Sequence, residues 1–410
     1  MTRAPMFAYL DPALMNNLGH HANSGRNIVR EIRTRGIPCA ILGHAEIEPG
    51  LQTELSAVPW FRWNTYTVVD RDPICGWLND FEMGARVTAE DIGRLQGLHP
   101  KDLIYVNSVQ PAQFMAVLRW GRTLPDSERP TVIMEFGTDP GLVLVESENA
   151  PPQFVSMDPR VDPRAVLLRF TGRQLTEADQ RWLRLATFDS QSSAIFQMLL
   201  DYPVGTLPLP QGAVTTCRDR TGARPITIGI LGHQRGDKGF HKVPALVTRL
   251  LAERNDIQVL VHNGWPEGMP EYQQALRDIA ASDSRLVLNE QVADAVLWSR
   301  LLEHTDLMVC PYMRNRFVSS YSAVASEAMA NAIPLVAPEG TTLHGVMREF
   351  GEPGTIFREE SVEAIHGAVV AALDDFDRLA GQAKQASIRW GETRGAKCLV
   401  DTLLSWQAAS

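Results

Sequence analysis

Short apolar segments alternate with amphipathic segments along most of the chain. The apolar segments have the length of β-strands, whereas the segments between them space their apolar residues as a helix does. Within residues 22–35, for example, Ile28, Val29 and Ile32 share one helical face. Because alternating strands and helices are typical of parallel sheets covered by helices, we predict an α/β fold.

This pattern occurs twice, with an interruption between the two halves. The strand-like segments of the first half are residues 6–10, 38–42, 103–106, 131–136 and 186–188. Those of the second half are residues 225–231, 257–261, 285–288, 307–310 and 333–336. Prolines at 208 and 210 and a polar stretch, residues 215–224, separate the halves, since proline continues neither a helix nor a central strand. We predict two domains, residues 1–208 and 209–385.

Length and composition support two domains and exclude several classes of protein. The chain has 410 residues, 44% of them hydrophobic, which is more than one ordinary core holds. Its net charge of -9, with no long Lys/Arg run, argues against a nucleic-acid partner. The sequence shows neither an N-terminal signal pattern nor a membrane-spanning apolar run, so we expect a cytoplasmic protein. Five scattered cysteines argue against a disulfide framework or a zinc site.

A basic, glycine-rich loop follows the first strand of the second half. Residues 232–239 contain three glycines together with His233, Arg235 and Lys238. Ligands of open α/β sheets bind at the carboxyl ends of strands, and such a loop suits phosphate groups. It is not a Walker loop, because the spacing differs and Phe240 stands where a hydroxyl is needed. The alternative is a solvated turn with ordinary surface charges.

A second candidate segment begins with serines and continues into a predicted helix, residues 323–330. Ser319, Ser320 and Ser322 lie at its N-terminal end, where free amides and the helix dipole favour an anion such as a diphosphate. Glu327, further along, is suited to accept hydrogen bonds from ribose hydroxyls. The alternative is that the serines cap the helix and the glutamate is solvated.

These two segments resemble the family 4 retaining glycosyltransferases of the GT-B superfamily, most closely over residues 225–373. The family's Gly-Arg-x4-Lys-Gly motif corresponds here to Gly232-His233, four residues, and Lys238-Gly239. The resemblance implies that Lys238 contacts the donor diphosphate. His233 stands in the place of the family's arginine, and Arg235 is a candidate to replace it.

The family's later motif, Glu-x7-Glu-Ala, matches only in its second half. Glu327 is the second glutamate, whereas Ser319 stands in the place of the first. Tyr321 and Ser322 occupy the places of an aromatic residue and a glycine. Because the family's first glutamate lies beside the donor sugar, its loss leaves open a different donor, a different catalytic arrangement or a weakened enzyme.

The first half offers less specific candidates for acceptor binding. A loop is predicted at residues 18–25, and its His20 or His21 is suited to orient a hydroxyl or a phosphate. Glu135 and Asp139 lie at or just past the end of another strand, where a carboxylate serves as a base in an inverting reaction or binds acceptor hydroxyls. The alternative for each histidine is an ordinary loop residue bonded to backbone or water.

The resemblance implies a GT-B fold, with two doubly wound Rossmann-like domains facing each other across a cleft. It also implies that the final segment, residues 386–410, crosses back to the N-terminal domain. The candidate catalytic residues are Lys238, His20 and Glu135. The candidate donor-binding residues are Gly232, His233, Arg235, Lys238, Ser319, Ser320, Tyr321, Ser322 and Glu327.

The implied function is transfer of a sugar from a nucleoside diphosphate sugar to a glycan, a lipid-linked saccharide or a small molecule, with retention of configuration. A lipid-linked acceptor would bring the protein to a membrane surface. We expect no metal and no further cofactor, because the loops described above lack an Asp-x-Asp pair. Three alternatives remain open: an inverting transferase, a nucleotide-sugar epimerase, and a sugar-nucleotide-binding protein that has lost turnover.

Overall fold

Strands and helices alternate along the chain as the hydrophobic pattern predicts. The computed structural model describes residues 5–17, 19–147, 150–212, 220–222 and 224–408. Its strands are β1 Phe7–Leu10, β2 Cys39–His44, β3 Val58–Phe61, β4 Leu103–Val106, β5 Thr131–Glu135, β6 Leu142–Ser147, β7 Ala150–Ser156, β8 Leu183–Thr187, β9 Val204–Thr206, β10 Ile226–Ile230, β11 Ile257–His262, β12 Leu286–Asn289, β13 Leu307–Val309, β14 Leu335–Pro338 and β15 Gly354–Phe357.

The helices lie between these strands and, at the end of the chain, after them. They are α1 Gly19–Thr34, α2 Pro49–Leu55, α3 Gly76–Ile92, α4 Pro111–Thr123, α5 Arg164–Gly172, α6 Ser190–Leu200, α7 Val243–Glu253, α8 Pro270–Ser282, α9 Ala295–His304, α10 Arg314–Phe317, α11 Ala323–Ala330, α12 Thr342–Glu349, α13 Val362–Asp374, α14 Phe376–Thr393 and α15 Ala396–Ala408. Among the described helices, none is long and apolar enough to cross a membrane.

The chain divides into two units. The first unit comprises residues 1–210, 319–321 and 396–410, and the second comprises residues 211–318 and 322–395. Leu18 of the predicted N-terminal loop, and residues 215–219 and 223 of the predicted linker, lie outside the described residues.

The first unit is built on a parallel seven-stranded sheet. Its strand order is β3-β2-β1-β4-β5-β8-β9, and an antiparallel hairpin, β6–β7, lies apart from it. β1 and β4 are buried along their whole length, which explains their continuous apolar sequence. From β1 the chain adds β2 and β3 on one side of the sheet and then returns to add β4 on the other side of β1, where Leu10 pairs with Val106 in parallel. The order of strands thus reverses between β1 and β4. The residues that follow these two strands therefore lie side by side, at the position where ligands of open sheets bind.

The second unit repeats this architecture with six parallel strands in the order β12-β11-β10-β13-β14-β15. The reversal lies between β10 and β13, so the loop after β10 and the segment after β13 share one edge of the sheet. Apolar residues of the strands, α7 and α13 form its core. The two parallel sheets confirm the predicted α/β fold class.

The N-terminal histidines lie on a helix and not in a loop. The predicted loop, residues 18–25, is wrong for most of its length, because α1 begins at Gly19. The apolar face of α1 starts only at Ala22. The two histidines of its first turn form hydrogen bonds instead, His20 with Ser108 and His21 with Asp11. Apolar periodicity alone therefore placed the helix start too late.

The C-terminal segment is divided between the units. Residues 386–395 belong to the second unit, where Trp390 of α14 is buried and its Nε1 donates to Gln211 O at 2.8 Å. The segment that joins the first unit therefore begins at 396, later than the predicted 386. There α15 packs against α1, and Arg35 pairs with Asp401 at 2.6 Å.

Candidate functional site

Two glycines fix the loop of residues 232–239 in the second unit. Gly232 has a φ of 116°, a conformation that side chains disfavour, and its amide donates to His262 Nδ1 at 3.3 Å. Gly239 has a φ of 70°, and a Cβ there would lie 1.9 Å from the carbonyl oxygen of Pro311. Only glycine fits this second position, so the segment after β13 holds the loop in place.

Lys238 places a positive charge in this loop. Its Nζ lies 5.3 Å from the ring centroid of Tyr312, and among the described residues no carboxylate comes within ion-pair distance of it. Asp237 pairs instead with Arg235, at 2.9 Å. Burial and the nearby Arg235 charge lower the pKa of Lys238 to about 8. A partly buried ammonium group without a counter-ion is suited to bind an anion.

The ring of His233 packs against Gly264, where an added Cβ would come within 3.2 Å of it. Burial, followed by the charges of Lys238 and Arg235, lowers the pKa of His233. Arg235 itself is engaged by Asp237. Lys238 is therefore close enough to His233 to lower its pKa, while Arg235 is held by a neighbouring carboxylate. The donor-binding roles that the resemblance implies for these residues stay predictions.

Glu327 lies in α11, beside this loop. Ser322 caps the helix by accepting from the amide of Ala325 at 3.2 Å. Glu327 Oε2 accepts from Trp298 Nε1 at 2.6 Å, and burial raises the pKa of Glu327 to about 7. A buried carboxylate with one oxygen engaged keeps acceptor capacity for ligand hydroxyl groups.

The loop and the helix are connected through residues that the sequence did not reveal. Val324 of α11 lies 3.4 Å from where a Cβ on Gly232 would be. The rings of His262 and Trp298 meet edge to face at 6.0 Å, and His262 also accepts from the loop amide. Their only signal in the sequence is their position, His262 ending β11 and Trp298 lying in α9.

Only one of the three serines before α11 caps the N-terminus of that helix. Of Ser319, Ser320 and Ser322, only Ser322 is the cap. Ser319 is buried, and its Oγ has no hydrogen-bond partner among the described residues. Residues 319–321, which include Tyr321, group with the first unit. The short helix α10 precedes them.

The first unit has its own polar cluster at the reversal between β1 and β4. Asp11, directly after β1, is fully buried and accepts from four donors. These are the His21 ring Nδ1 at 2.9 Å, Asn107 Nδ2 at 2.9 Å, the Ala13 amide at 3.1 Å and the Tyr9 hydroxyl at 3.2 Å. His21 Nε2 lies 3.1 Å from the Tyr66 hydroxyl. The carboxylate therefore orients His21 and leaves its outer nitrogen facing a hydroxyl group.

His20 and Glu135 meet at Ser108, the second residue after β4. Ser108 has a φ of 51°, which is unusual for a residue with a side chain. Its Oγ lies 3.1 Å from His20 Nε2, and its amide donates to Glu135 Oε2 at 3.0 Å. Burial lowers the pKa of His20 to about 3 and raises that of Glu135 to about 8. At neutral pH both groups are therefore uncharged.

Asp139, the other carboxylate of this region, is engaged by an arginine. Arg164 contacts its carboxylate at 3.1 Å and its carbonyl oxygen at 2.9 Å. The Gly141 amide donates to the same carboxylate at 3.0 Å. These contacts hold the loop after β5 and occupy the oxygens of Asp139.

Comparison with known proteins identifies the fold. No protein-family model and no curated protein sequence matches the chain. Solved structures do, over the whole length. Sucrose-phosphate synthase of Thermosynechococcus elongatus matches with a TM-score of 0.65 and 13% identity, over 99% of this chain and 100% of that one. Anabaena HepE in complex with UDP matches with a TM-score of 0.62 and 13% identity, over 99% and 100%.

Trehalose 6-phosphate synthase of Burkholderia multivorans also matches, with a TM-score of 0.62 and 10% identity, over 99% of each chain. This chain has the GT-B fold. The two sheets of the GT-B fold correspond to the seven- and six-stranded sheets described above. The comparisons therefore confirm the predicted fold, and at these identities they extend no further than the fold.

Proposed function

We propose that this protein transfers a sugar from a nucleoside diphosphate sugar to an acceptor hydroxyl group. The observation that carries the proposal is the ammonium group of Lys238, which has no carboxylate within ion-pair distance among the described residues. It lies in a glycine-fixed loop between β10 and α7, next to the helix that carries Glu327. A diphosphate would supply the missing negative charge. Glu327 would accept hydrogen bonds from the ribose hydroxyls.

The chemistry of glycosyl transfer fits these residues. As the bond between the anomeric carbon and the diphosphate breaks, negative charge grows on the leaving phosphate and must be stabilised. Lys238 and the amides at the start of α11 provide that stabilisation in our proposal. We also propose that the reaction needs neither a metal ion nor a further cofactor, since these groups neutralise the leaving diphosphate.

The structural neighbours support the same substrate class. Anabaena HepE is described in complexes with UDP and with UDP-glucose, and the other two neighbours are named as sucrose-phosphate and trehalose 6-phosphate synthases. We infer a nucleotide-sugar donor for this chain on that basis, together with Lys238 and Glu327. The resemblance favours retention, whereas an oriented base in the first unit favours the inverting alternative.

A panel of nucleotide sugars tests the proposal. We expect at least one donor to raise Tm, because a ligand at about 100 times its Kd stabilises the native state by about 2.7 kcal/mol. The same donor should release nucleoside diphosphate on incubation, with EDTA present as well as without it. If no donor changes Tm and none is turned over, the proposal is wrong. A donor that binds without turnover would indicate a binding protein, and a requirement for added Mg²⁺ or Mn²⁺ would contradict metal independence.

Glu327 provides a prediction on pH dependence. Burial raises its pKa to about 7, and hydroxyl donors bind the ionised carboxylate best. Donor affinity should therefore increase as pH rises from about 5.5 to about 7, a range in which Lys238, with a pKa of about 8, stays largely charged. Isothermal titration of the unsubstituted protein and of Glu327→Gln checks this. In the variant we expect weaker binding and a flat pH profile over that range; an equally steep profile would remove Glu327 from the donor site.

A further inference from the structure

His262 uses both nitrogens of its buried ring to hold neighbouring segments of the second unit. It is the last residue of β11 and is 1% exposed. Its Nδ1 lies 3.3 Å from the amide nitrogen of Gly232, and its Nε2 lies 2.9 Å from the carbonyl oxygen of Gln291. Because a backbone N–H donates and a carbonyl oxygen accepts, Nδ1 is the accepting nitrogen and Nε2 carries the proton. These two contacts therefore fix the tautomer of the ring.

The end of β11 also holds the first half of the glycine-rich loop. The amide of Gln234 donates to Asn263 Oδ1 at 3.2 Å, and the Gln234 side chain donates to the carbonyl oxygen of His262 at 3.2 Å. The ring of His233 packs against Gly264. Since β10 and β11 pair in parallel, the segments that follow them lie at the same edge of the sheet. The loop that carries the proposed phosphate-binding lysine is therefore built on the end of β11.

The ring of His262 contacts the partner of the proposed ribose-binding residue as well. It meets the ring of Trp298 edge to face, with centroids 6.0 Å apart, and Trp298 Nε1 donates to Glu327 Oε2 at 2.6 Å. Edge-to-face contact is a favoured geometry of aromatic pairs, so it helps to define where the indole lies. One side chain thus connects the loop with Glu327, and all of these residues belong to the second unit.

Gly232 depends on His262 more than an ordinary loop residue would. Its φ of 116° lies outside the regions that residues with side chains favour, and its hydrogen bond to His262 is buried. A buried amide that loses its acceptor costs free energy unless it moves into water. Without Nδ1 the start of the loop is therefore expected to shift, and the phosphate-binding groups that follow it would shift as well.

We propose that His262 is the positioning residue of the donor site. With its proton on Nε2, it holds the phosphate-binding loop through Gly232, and it aligns Glu327 for the ribose through Trp298. The inference rests on the proposed function, and it assigns His262 no contact with the donor itself. Because the two contacts use different parts of the ring, substitutions that remove one of them and keep the other should damage different halves of the donor site.

Two substitutions separate the two contacts. His262→Phe keeps an aromatic ring against Trp298 and removes both hydrogen bonds of the ring. His262→Asn removes the ring but places Oδ1 close to the position of Nδ1, so that the Gly232 amide keeps an acceptor. Inorganic pyrophosphate serves as the probe of the loop. The probe of Glu327 is uridine, adenosine or guanosine, whichever is the nucleoside of a nucleotide sugar that raises Tm.

We expect His262→Phe to weaken pyrophosphate binding by about 3- to 10-fold and nucleoside binding by less than about twofold, since one neutral hydrogen bond has an effect of that size. His262→Asn should do the reverse, because the loss of an aromatic pair has a similar effect on the alignment of Glu327. Equal losses of both ligands in both variants, as a general loss of structure would cause, would overturn the inference. Two variants that bind both ligands normally would overturn it too.

His304 provides the matched control. It is exposed at the end of α9, the helix that carries Trp298, so His304→Phe and His304→Asn should bind both probes like the unsubstituted protein. The binding data also distinguish this inference from the proposed function. If the unsubstituted protein binds neither pyrophosphate nor any nucleotide sugar, both are wrong, whereas normal binding by the His262 variants removes only the role of His262.

The tautomer of His262 can be measured in the unsubstituted protein. Long-range proton–nitrogen correlation spectra of protein with labelled histidine distinguish the two nitrogens of each ring, and the signal that is missing from whichever variant folds belongs to His262. At about pH 7 we expect a protonated Nε2 and an unprotonated Nδ1, because burial lowers the pKa of His262 and keeps the ring neutral. A proton on Nδ1 would exclude the hydrogen bond from Gly232 and overturn the inference, even where sugar transfer is demonstrated.

Discussion

Replacing Lys238 by methionine is expected to lower kcat/KM for the nucleotide-sugar donor by roughly 30- to 900-fold without lowering Tm. A charged contact to the phosphate that develops charge in the transition state contributes about 2 to 4 kcal/mol, which corresponds to that range. Stability should be unchanged or higher, because the ammonium group has no described carboxylate partner and burial lowers its pKa to about 8. Methionine keeps the length of the side chain, so its packing on Tyr312 is largely preserved.

A neighbouring lysine provides the control for this experiment. Lys242 follows the loop, and its Nζ lies 3.6 Å from Glu360. Lys242→Met removes a positive charge from the same part of the unit, so a general effect of charge on donor attraction would appear in both variants. We expect only Lys238→Met to lose activity and donor affinity. Equal losses, or a Lys238 variant with unchanged kcat/KM, would exclude a direct contact between Lys238 and the diphosphate.

The central strands could be predicted from the sequence because they are buried on both faces. Segments 103–106 and 225–231 correspond closely to β4 and β10. The strands that the sequence did not reveal include β3, β9 and β15, each at an edge of its sheet. These edge strands are partly exposed, and β9 and β15 have only short apolar runs. β3 contains Pro59, which an edge strand tolerates but which argues against a strand in the sequence.

One central strand was only partly predicted for a different reason. Segment 186–188 covers just the end of β8, which begins at Leu183. Arg184 interrupts the apolar pattern there, although its guanidinium group bonds to nearby backbone carbonyls and so allows the strand to continue. A buried strand can therefore contain one polar residue that bonds to nearby backbone, and the hydrophobic pattern alone then fails to predict the whole strand.

The candidate donor loop could be predicted because its chemistry is local in sequence. Residues 232–239 carry their glycines and charges together. The cluster of the first unit has no such local signal, since Asp11 and Asn107 are single polar residues after apolar runs, and they meet only because β1 and β4 are neighbours in the sheet. The sequence offers both adjacent histidines as candidates for orienting a hydroxyl or a phosphate, but it predicts only His20 as a catalytic residue. Their position on the first turn of α1 directs one ring to Ser108 and the other to Asp11.

The C-terminal helix α15 completes the core of the first unit. Leu399, Val400 and Leu403 are fully buried, and α15 packs against α1. Trp406 lies so close to β9 that a Cβ on Gly205 would come within 2.5 Å of its ring. Fully burying a leucine or valine side chain stabilises a protein by about 1.5 to 3 kcal/mol. The three residues together therefore contribute about 4.5 to 9 kcal/mol, which is comparable with the whole stability of a typical domain.

A chain that ends at Gly395 is accordingly expected to lose the folded state of the first unit while the second unit stays folded. Hydrogen exchange followed by mass spectrometry distinguishes the two, because amides of β1 and β4 should lose protection whereas those of β10 and β11 should keep it. Leu403→Ala should produce a smaller effect in the same direction, costing about 2 to 5 kcal/mol. Ser405→Ala, at an exposed position of α15, should change stability little. If the shortened chain keeps the protection of β1 and β4 and its Tm, α15 is dispensable, and the first unit is stable through its sheet and remaining helices alone.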